Sequence, residues 1–521
     1  MDTKDLISVS PPKGECTSEL AEVPGGAIPV DTFGGRVHVE WDSQAAVTPL
    51  GQLPFFIDFL KTADLFGRWI EDCPIAYRSN NAPKKRDIVG TLFLSVLSGH
   101  WRYAHIASIR YDTVNPGLLG MSQVMSEDSV RRAFLRAEEN ACAEWLGSHL
   151  DRCYGALLYE PWILDMDATV KPLYGHQEGA VVGYNPHKPG RPSHVYHTYW
   201  VANLRLVLDV EVQAGNQQAA SYAQPGLWRW MDRLPQAARP AFVRGDCAWG
   251  NEGVMQQAEE RSLGYLFKLR KSRKVKRLLE EVFWQRDWHR AGQGWEGVEA
   301  SLQLMGWTRS RRVIVLRREI QGGLVHVDEK ESASKACQLE FEFMETLEPV
   351  KTYEYAVLVT TLEDEIRTVA QHYRDRADVE NNFDELKNQW GWGGYTTHDL
   401  KRCQILARCI GLIYNWWSLF VRLAIPDKHA EGITSRPLLL HGVAKQTRHG
   451  GQTTVTITST HAKTESVQRI LRSLMTFLFR IKASAEQLRW EERWRMILSH
   501  IFRYFLGGRS LRSPPLLPEP V

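Results

Sequence analysis

The sequence predicts an α/β protein whose central sheet is interrupted by a β-rich insertion and flanked by helical regions. Three observations lead to this fold class. From Trp162 the apolar periodicity changes from helical to strand-like, and strands then alternate with helices up to residue 270. Residues 271–350 are again β-rich. Helical patterns dominate both ends of a 521-residue chain that is 43% apolar and long enough for about three domains.

The N-terminal part divides into a tail and a helical domain. Residues 1–45 are rich in Pro, Gly, Ser and acids and have no sustained period, which predicts a flexible acidic tail. Residues 46–155 carry helical periodicity, with Ser126 as a helix cap. Arg131 and Arg132 follow that cap and a Gly/Ser-containing turn, so we expect a helix-turn-helix-like DNA-binding unit. The alternative is a helical pair whose arginines face solvent.

Residues 156–270 form the first part of the predicted core. Strands are expected in the segments WILDMDATV, HTYWVANL, RLVLDVEVQ, FVRGDCA and LGYLFKLR. Helices near residues 221–234 and 252–261 separate the later ones. The order strand-strand-strand-helix-strand-helix-strand is that of a ribonuclease-H-like sheet.

An insertion separates this part from the last helix of the core. Residues 271–350 contain predicted strands in RRVIVLRREI and LEFEFME, and a segment of that size is a subdomain and not a loop. The apparent strands that begin in the insertion continue through YEYAVLVTT. The second part of the core spans residues 351–425 and carries a delayed helix over 364–388. Residues 426–521 form a helical basic region that includes a polar Gly/Thr-rich stretch near residues 449–464, with ten basic against five acidic side chains after residue 464. This charge asymmetry favours a polyanionic partner.

Cysteine usage and hydropathy indicate the compartment. Eight cysteines are scattered without a C-x-x-C pair, a pattern that suits neither a zinc site nor a dense disulfide framework. The most apolar stretch, residues 403–425, is interrupted by Arg408, Asn415 and Arg422, so we expect a buried helix and no membrane contact. The prediction is a cytoplasmic protein.

Three acids stand where such a core would hold metal ions. Asp167 lies in the first strand, Asp246 ends the fourth, and Glu380 lies on the delayed helix. Together they could hold two Mg²⁺ ions about 4 Å apart, an arrangement that serves in-line phosphoryl displacement. Asp165 points to the same sheet face as Asp167 and competes with it as the first ligand. Asp167 is preferred because Ala-Thr follows it at the more open end of the strand.

The delayed helix also carries a spaced set of polar side chains. Tyr373, Arg376, Glu380 and Lys387 would lie within about 60° of one another on a helix, presenting a phenol, two cations and a carboxylate together. Such a stripe is typical of a phosphate-binding face. The alternative is an ordinary helix surface with internal ion pairs.

Further cations are candidates for binding a phosphate backbone. Lys188 and Arg191 are exposed in the turn-rich loop GYNPHKPGRPS. A basic run opens the insertion and comprises Lys271, Arg273, Lys274, Lys276 and Arg277. The insertion also contains Trp284, Trp288, Trp295 and Trp307, one of which could hold an unstacked base, although tryptophan is equally a core residue.

The segments ILDMDATV, GYNPHKPGRPS and VRGDCAWGNE, together with the complete Tyr-x2-Arg-x3-Glu-x6-Lys spacing, resemble a DDE transposase of bacterial insertion sequences. The resemblance is to the branch with a β-rich insertion in its core, and it spans roughly residues 50–425. It implies that Asp167, Asp246 and Glu380 bind Mg²⁺, for which Mn²⁺ can substitute. It also implies that Tyr373, Arg376 and Lys387 contact phosphates. One departure is Ala168, where related sequences often have a hydroxyl residue.

The resemblance further implies the reaction and the partners. We expect metal-dependent cleavage of double-stranded DNA at the terminal inverted repeats, formation of a hairpin, and strand transfer into target DNA. A homodimer would join two ends, and the protein would associate with the bacterial nucleoid. The alternatives are a ribonuclease-H-like nuclease without strand transfer, and a non-catalytic DNA-binding regulator derived from a transposase. All three acids are present, which disfavours the regulator.

Overall fold

A computed structural model describes residues 27–512, apart from 78, 80, 186, 187, 218, 219, 286, 321–352, 427, 428 and 485–487. The described chain is mixed α/β and contains a large mixed sheet. Its contacts divide the protein into two units, residues 1–46 and residues 47–521. The predicted strand LEFEFME falls outside the described residues.

The first unit contains a β-hairpin where the sequence predicts a flexible tail. Strands β1 (Ile28–Thr32) and β2 (Gly35–Val39) pair antiparallel. Gly35 has a φ of 108°, a conformation open to glycine at the turn. Almost every residue of both strands is exposed. Ile28, Val30, Val37 and Val39 do alternate with other residues and share one face. Each strand has only five residues and lies in a Pro-, Gly- and acid-rich segment, so this short pattern was missed.

The second unit begins with a short strand and a group of helices. Their bounds are β3 (Val47–Thr48), α1 (Leu53–Thr62), α2 (Phe66–Glu71), α3 (Lys85–Leu97), α4 (Asn115–Leu118), α5 (Glu127–Arg136) and α6 (Glu139–Tyr154). The Ser126 side chain accepts a hydrogen bond from the Ser129 amide, so the predicted cap of α5 is confirmed. The apolar segment before residue 70 forms two helices because the chain turns at Asp64, whose φ is 51°.

A large sheet follows the helices. Its first strands are β4 (Ile163–Pro172), β5 (Val181–Val182), β6 (Pro192–Val201), β7 (Leu206–Ala214), β8 (Phe242–Gly245) and β9 (Gly264–Lys268). Helix α7 (Ala220–Arg233) precedes β8, and α8 (Glu252–Glu260) precedes β9. β4 pairs antiparallel with β6 and parallel with β8, β6 pairs antiparallel with β7, and β8 pairs parallel with β9.

Residues 271–320 extend this sheet. They form α9 (Arg273–Phe283), β10 (His289–Gly292), β11 (Trp295–Leu302) and β12 (Arg311–Glu319), and β13 (Tyr353–Thr360) follows the gap in the description. β13 pairs antiparallel with both β12 and β9, so the order of neighbours runs β10-β11-β12-β13-β9-β8-β4-β6. The insertion, which was expected to be β-rich, begins with a helix that carries most of the basic run. Val275, Leu278 and Val282 recur at helical spacing and are buried.

The predicted delayed helix is divided. It forms α10 (Ile366–Arg374) and α11 (Ala377–Gln389). At the junction the amides of Arg376 and Val379 bond to carbonyls three residues back, at Tyr373 and Arg376, with N···O distances of 3.2 and 3.0 Å. This local tightening displaces Tyr373 and Arg376 from the positions that a continuous α-helix would give them.

Helix α12 (Leu400–Ala424) connects the sheet to the helical region. Asn415 exchanges hydrogen bonds of 2.9 and 2.8 Å with the backbone of Val207 in β7. On another side, Trp416 packs edge-on against Trp69 with ring centroids 5.3 Å apart. Because α12 packs against the sheet on one side and against the N-terminal helices on another, most of its residues are buried, which explains the apolar run in the sequence. Within the described residues, no helix is both long enough and apolar enough to cross a membrane.

The C-terminal region contains a hairpin that sequence analysis missed. After α13 (Gly432–Leu439), strands β14 (Val443–His449) and β15 (Gln452–Thr458) form this hairpin, and β14 also pairs with β3. Helices α14 (Thr464–Ala483) and α15 (Trp490–Ile501) follow. Their apolar faces, including Leu474 and Trp494, are buried.

Candidate active site

Two of the three predicted acids lie side by side on the neighbouring interior strands β4 and β8, just past the last paired residues. The parallel strands β4 and β8 are in register through Met166 and Gly245, and the next residue on each is Asp167 and Asp246. Adjacent strands lie about 4.8 Å apart, so the backbone brings these carboxylates together. Both line a cavity of about 670 Å³. Both are partly buried.

Asp167 carries the clearest electrostatic signature of the site. Its pKa is raised to about 6, chiefly by burial and also by the charge of Asp246, while Arg376 opposes both effects. One carboxylate oxygen accepts a hydrogen bond of 2.8 Å from the Ala168 amide. The other accepts one from the Arg376 guanidinium. Two converging carboxylates in a partly buried cavity favour a cation between them.

Asp165, the competing first ligand, is engaged elsewhere. It is fully buried, and its two oxygens accept hydrogen bonds of 2.5 and 2.6 Å from Nε and Nη2 of Arg244. Arg244 also donates to the His372 carbonyl at the end of α10. This ion pair fastens β4 and β8 to the helix, and it leaves Asp167 as the strand β4 acid that lines the cavity.

Glu380 lies in the first turn of α11, on the far side of Arg376. Its side chain is 70% exposed, and its Oε1 is 3.8 Å from Nη1 of Arg376. The Arg376 side chain is only 10% exposed, and its Nε is buried without a hydrogen-bond partner. One guanidinium therefore stands between Asp167 and Glu380. Among the described residues, no three His, Cys, Asp or Glu side chains are grouped closely enough to hold a metal ion.

The donor chemistry nevertheless fits a hard divalent cation. Mg²⁺ takes oxygen ligands and commonly uses one or two carboxylates together with substrate phosphates. Asp167 and Asp246 supply such oxygens from neighbouring strands. Glu380 would add a third carboxylate after the Arg376 side chain moves from between them.

Tyr373 and Lys387 are close to the acidic pair. The pKa of Tyr373 is raised to about 12, chiefly by burial and also by the charge of Asp246, whereas Arg376 opposes the shift. Lys387 lines the cavity together with Asp167. Burial lowers the pKa of Lys387, while Asp384 and Asp167 oppose that shift. Thus all four residues of the spaced motif, Tyr373, Arg376, Glu380 and Lys387, lie around the predicted site despite the break between the helices.

Sequence analysis missed several residues that line the cavity. Arg270 is exposed there and directly precedes the basic run, so the run could have been started one residue earlier. His197 lines the wall, with its Nε2 2.9 Å from the Gln217 carbonyl. Trp249 packs over Gly245, where an added Cβ would lie 2.7 Å from the indole Cδ1. Gly245, which has no side chain and directly precedes Asp246, was the sequence feature from which this close packing could have been predicted.

The loop cations are held by an aromatic ring. Lys188 donates a hydrogen bond to the Tyr174 hydroxyl, and its ammonium lies 5.1 Å from the ring centroid. The Arg191 guanidinium lies 4.8 Å from the same centroid. The hydrogen bond from Lys188 lowers the pKa of Tyr174. These cations are exposed, and Tyr184 of the same loop lines the cavity.

The basic run covers the exposed face of α9 and its approach. Lys271, Arg273, Lys274, Lys276 and Arg277 are all exposed. Two make local contacts: Arg277 pairs with Glu281 at 3.1 Å, and Lys274 donates to the Gln303 carbonyl at 3.2 Å.

The four tryptophans of the insertion differ sharply in exposure. Trp284, just after α9, is 83% exposed, whereas Trp307 is 8% exposed. An arginine covers the ring of every insertion tryptophan except Trp284. Arg317 lies 3.8 Å from the Trp288 centroid, and Arg318 and Arg311 lie 5.0 and 5.2 Å from the centroids of Trp295 and Trp307.

The two arginines of α5 point in different directions. Arg131 is half-buried, with its guanidinium 5.0 Å from the Tyr103 ring centroid. Arg132 is exposed and donates to the Asp128 carbonyl at 3.2 Å. Of the pair, Arg132 is the one available to a partner at the surface of this helix.

Comparisons with known proteins bear on the identity of this site. No curated protein matches the chain. A solved structure, the synaptic complex of piggyBac transposase with hairpin DNA, aligns with 87% of this chain and 85% of that chain, at 10% sequence identity and a TM-score of 0.39. A family model described as "Transposase DDE domain group 1" matches residues 78–478. Because that match spans more than half of the sequence, the chain belongs to this family of DDE transposases.

Proposed function

We propose that the protein is a DNA transposase that cleaves the ends of an insertion sequence and joins them to target DNA. In this proposal Asp167, Asp246 and Glu380 bind the catalytic metal ions. The observation that carries the proposal is the register of β4 and β8, which brings Asp167 and Asp246 to adjacent positions on one cavity. Glu380 is linked to them through Arg376.

The strand arrangement supports a ribonuclease-H-like core. The neighbours β7-β6-β4-β8-β9 include three antiparallel strands in sequence and then two that run parallel to β4. Helices α10 and α11 would complete this core after the insertion. The insertion enters after β9 and returns through β13, so it would interrupt the core without separating from its sheet.

We propose Mg²⁺ as the cofactor, in two ions, with Mn²⁺ as a substitute. When bound, such a pair stabilises both the entering and the leaving oxygen of an in-line phosphoryl displacement. Asp167 and Asp246 would hold the ions from the sheet, and Glu380 would hold them from α11. Arg376 would then leave the carboxylates and pair with a DNA phosphate, as Tyr373 and Lys387 also would.

The remaining cations would bind the DNA that leads away from the cavity. Arg270 lies at its rim, and the exposed face of α9 follows directly in the sequence. Lys188 and Arg191 would bind the flanking strand from the opposite loop. From α5 the exposed Arg132 would contact DNA, and Arg131 could do so only after leaving the Tyr103 ring. Two protomers would bring two transposon ends together. If the reaction passes through a hairpin, Trp284 is the insertion tryptophan that would stack on an unpaired base, because its side chain is 83% exposed beside Phe283.

The decisive experiment changes one carboxylate. Asp246→Asn removes a metal ligand's charge with little change in shape, so we expect loss of Mg²⁺-dependent nicking with folding and DNA retention preserved. The matched control is Asp232→Asn, which also loses an acid but lies in a surface ion pair with Arg261 at 3.1 Å. The measurements are nicking of a duplex carrying the element's terminal repeat, circular dichroism and retention of that duplex. Nicking by the Asp246 variant at the wild-type rate would refute the assignment.

The same assay separates the alternative functions. Strand transfer that depends on the terminal repeat supports a transposase. Cleavage of any duplex without strand transfer supports a nuclease. Retention of the repeat by the wild-type protein, without cleavage in Mg²⁺ or Mn²⁺, supports a regulator.

A further inference from the structure

The β14–β15 hairpin presents a polar face that no part of the proposed site uses. Side chains alternate between its two faces. On the inner face, Ala444 is buried, and Val455 and Ile457 are half-buried. The outer face is exposed at every position and comprises Val443, Lys445, Thr447, His449, Gln452, Thr454, Thr456 and Thr458.

The chemistry of this outer face suits a polyanion. There is no acidic residue between Glu431 and Glu465 in the sequence, so the hairpin carries cations without compensating carboxylates. Lys445 and Thr456 are cross-strand partners, as are Thr447 and Thr454, which places hydroxyls beside an ammonium. Arg448 is exposed near the tip. Hydroxyls, ammonium groups and guanidinium groups are the side-chain groups that bind phosphate oxygens of DNA.

The shape of the hairpin also suits a duplex. Gly450 and Gly451 form its tip with φ values of 56° and 79°, as a tight two-residue turn requires. Each strand has seven residues, a length of roughly 24 Å. A two-stranded ribbon of this kind fits the major groove of B-DNA, which is about 12 Å wide. Only the first residues of β14 pair with β3, so the distal half extends beyond that sheet.

We propose that the outer face and the tip of the β14–β15 hairpin bind the phosphate backbone of duplex DNA, separately from the metal cavity. Lys445 on the outer face and Arg448, which is exposed near the tip on the opposite face of β14, provide the charge, and Thr447, Thr454 and Thr456 provide hydroxyl donors. This inference rests on the proposed function, because it assumes that DNA is the substrate. The bound DNA can be either a transposon end or target DNA, since backbone phosphates are common to both.

The experiment measures the salt dependence of DNA binding. The variant Lys445→Gln/Arg448→Gln is compared with the wild-type chain on a duplex carrying the terminal repeat and on a duplex of arbitrary sequence. Loss of two phosphate contacts should reduce the slope of log K against log salt by about 2. A reduction on both duplexes indicates a general backbone contact, and a reduction on one duplex identifies the DNA that the hairpin binds. An unchanged slope on both would overturn the proposal.

The control variant is Lys61→Gln/Arg480→Gln, which removes the same charge from exposed positions on α1 and α14. It should leave the slope unchanged, and an equal reduction would show that the hairpin has no special role. The exposed edge of β15 could instead pair with a second copy. If the hairpin variant alters the mass of the DNA-free protein and leaves the slope unchanged, that pairing is its role and the proposal fails. Mg²⁺-dependent nicking, measured in parallel on the wild-type protein, tests the proposed function independently.

Discussion

Arg376 is the residue on which the state of the site depends. Its guanidinium bonds to Asp167 and lies 3.8 Å from Glu380, so it occupies the position between two acids that are proposed to share metal ions. A cation of the protein there offsets the repulsion between carboxylates before a metal ion enters. Metal ions and the guanidinium should therefore compete for the same oxygens.

This competition gives a test by thermal unfolding. Arg376→Ala leaves Asp167 partly buried without its cation, and removing one partner of a buried pair costs about 3–5 kcal/mol. We expect the variant to be less stable than wild type without Mg²⁺ and to gain more stability from Mg²⁺. The matched control is Arg408→Ala, because the Arg408–Asp209 pair is similarly buried, with side chains 15% and 11% exposed. Equal gains from Mg²⁺ in all three proteins would show that Arg376 and the metal do not share a site.

The pKa of Asp167 predicts how the metal requirement changes with pH. Since that pKa is raised to about 6, Asp167 is protonated and uncharged at lower pH, and a proton then competes with Mg²⁺. The Mg²⁺ concentration for half-maximal nicking should rise about tenfold for each pH unit below about 6, and should level off above about 7. A requirement that stays constant between about pH 5 and 7 would contradict the role of Asp167.

The sequence favoured Asp167 over Asp165 only through the Ala-Thr that follows it, because both acids lie on one face of β4. The register of β4 with β8 decides between them, since it pairs Asp165 with Arg244 and puts Asp167 level with Asp246. A trace of this was present in the sequence. The spacing Asp-x-Asp in one strand matches Arg-x-Asp in the other, and two parallel strands with those spacings bring opposite charges together.

At the scale of elements, the turn after β8 fixes the direction of Asp246. Trp249 packs directly over Gly245, and the Ala248 amide donates a hydrogen bond of 2.9 Å to the Asp246 carboxylate. A tight strand end of this kind positions a carboxylate through backbone contacts.

Gly245→Ala tests the turn without removing a ligand. The new Cβ would lie 2.7 and 2.8 Å from Cδ1 and Cγ of Trp249, so the strand end or the indole must move. Such overpacking costs about 1–3 kcal/mol. A displacement of about 1 Å at Asp246 would slow nicking about a hundredfold. The measurements are thermal unfolding and the initial nicking rate.

Gly253→Ala serves as the control, because its Cβ would meet its nearest atom at an ordinary 3.6 Å. It should nick like wild type. Wild-type nicking by the Gly245 variant would show that the packing of Trp249 does not set the position of Asp246.

At the scale of the whole molecule, the alternation of strands and helices was predictable from apolar periodicity. The segments around Asp167, Asp246 and residue 265 form strands as expected. The β1–β2 and β14–β15 hairpins were missed, because their strands are short and largely exposed and their apolar alternation covers only two or three residues on a strand. The break before α11 was also missed, since helical periodicity does not register a single tightened turn.

The placement of Arg376 required the tertiary structure. Sequence analysis assigned it to DNA phosphates from its spacing with Tyr373 and Lys387. In the structure it bonds to an acid more than two hundred residues away in the chain, a contact for which local spacing carries no information.

The pairing of β13 with β9 has a mechanical consequence. Backbone hydrogen bonds join β13 to β9, the strand next to β8, so the strands of the insertion continue the same sheet and are not attached by a flexible linker. A ligand that displaces β10 or β11 would therefore strain the sheet as far as β8 and β4, the strands that carry the two acids. Bending of the sheet, and not rotation about a hinge, would set how far the outer strands of the insertion can move relative to Asp167 and Asp246.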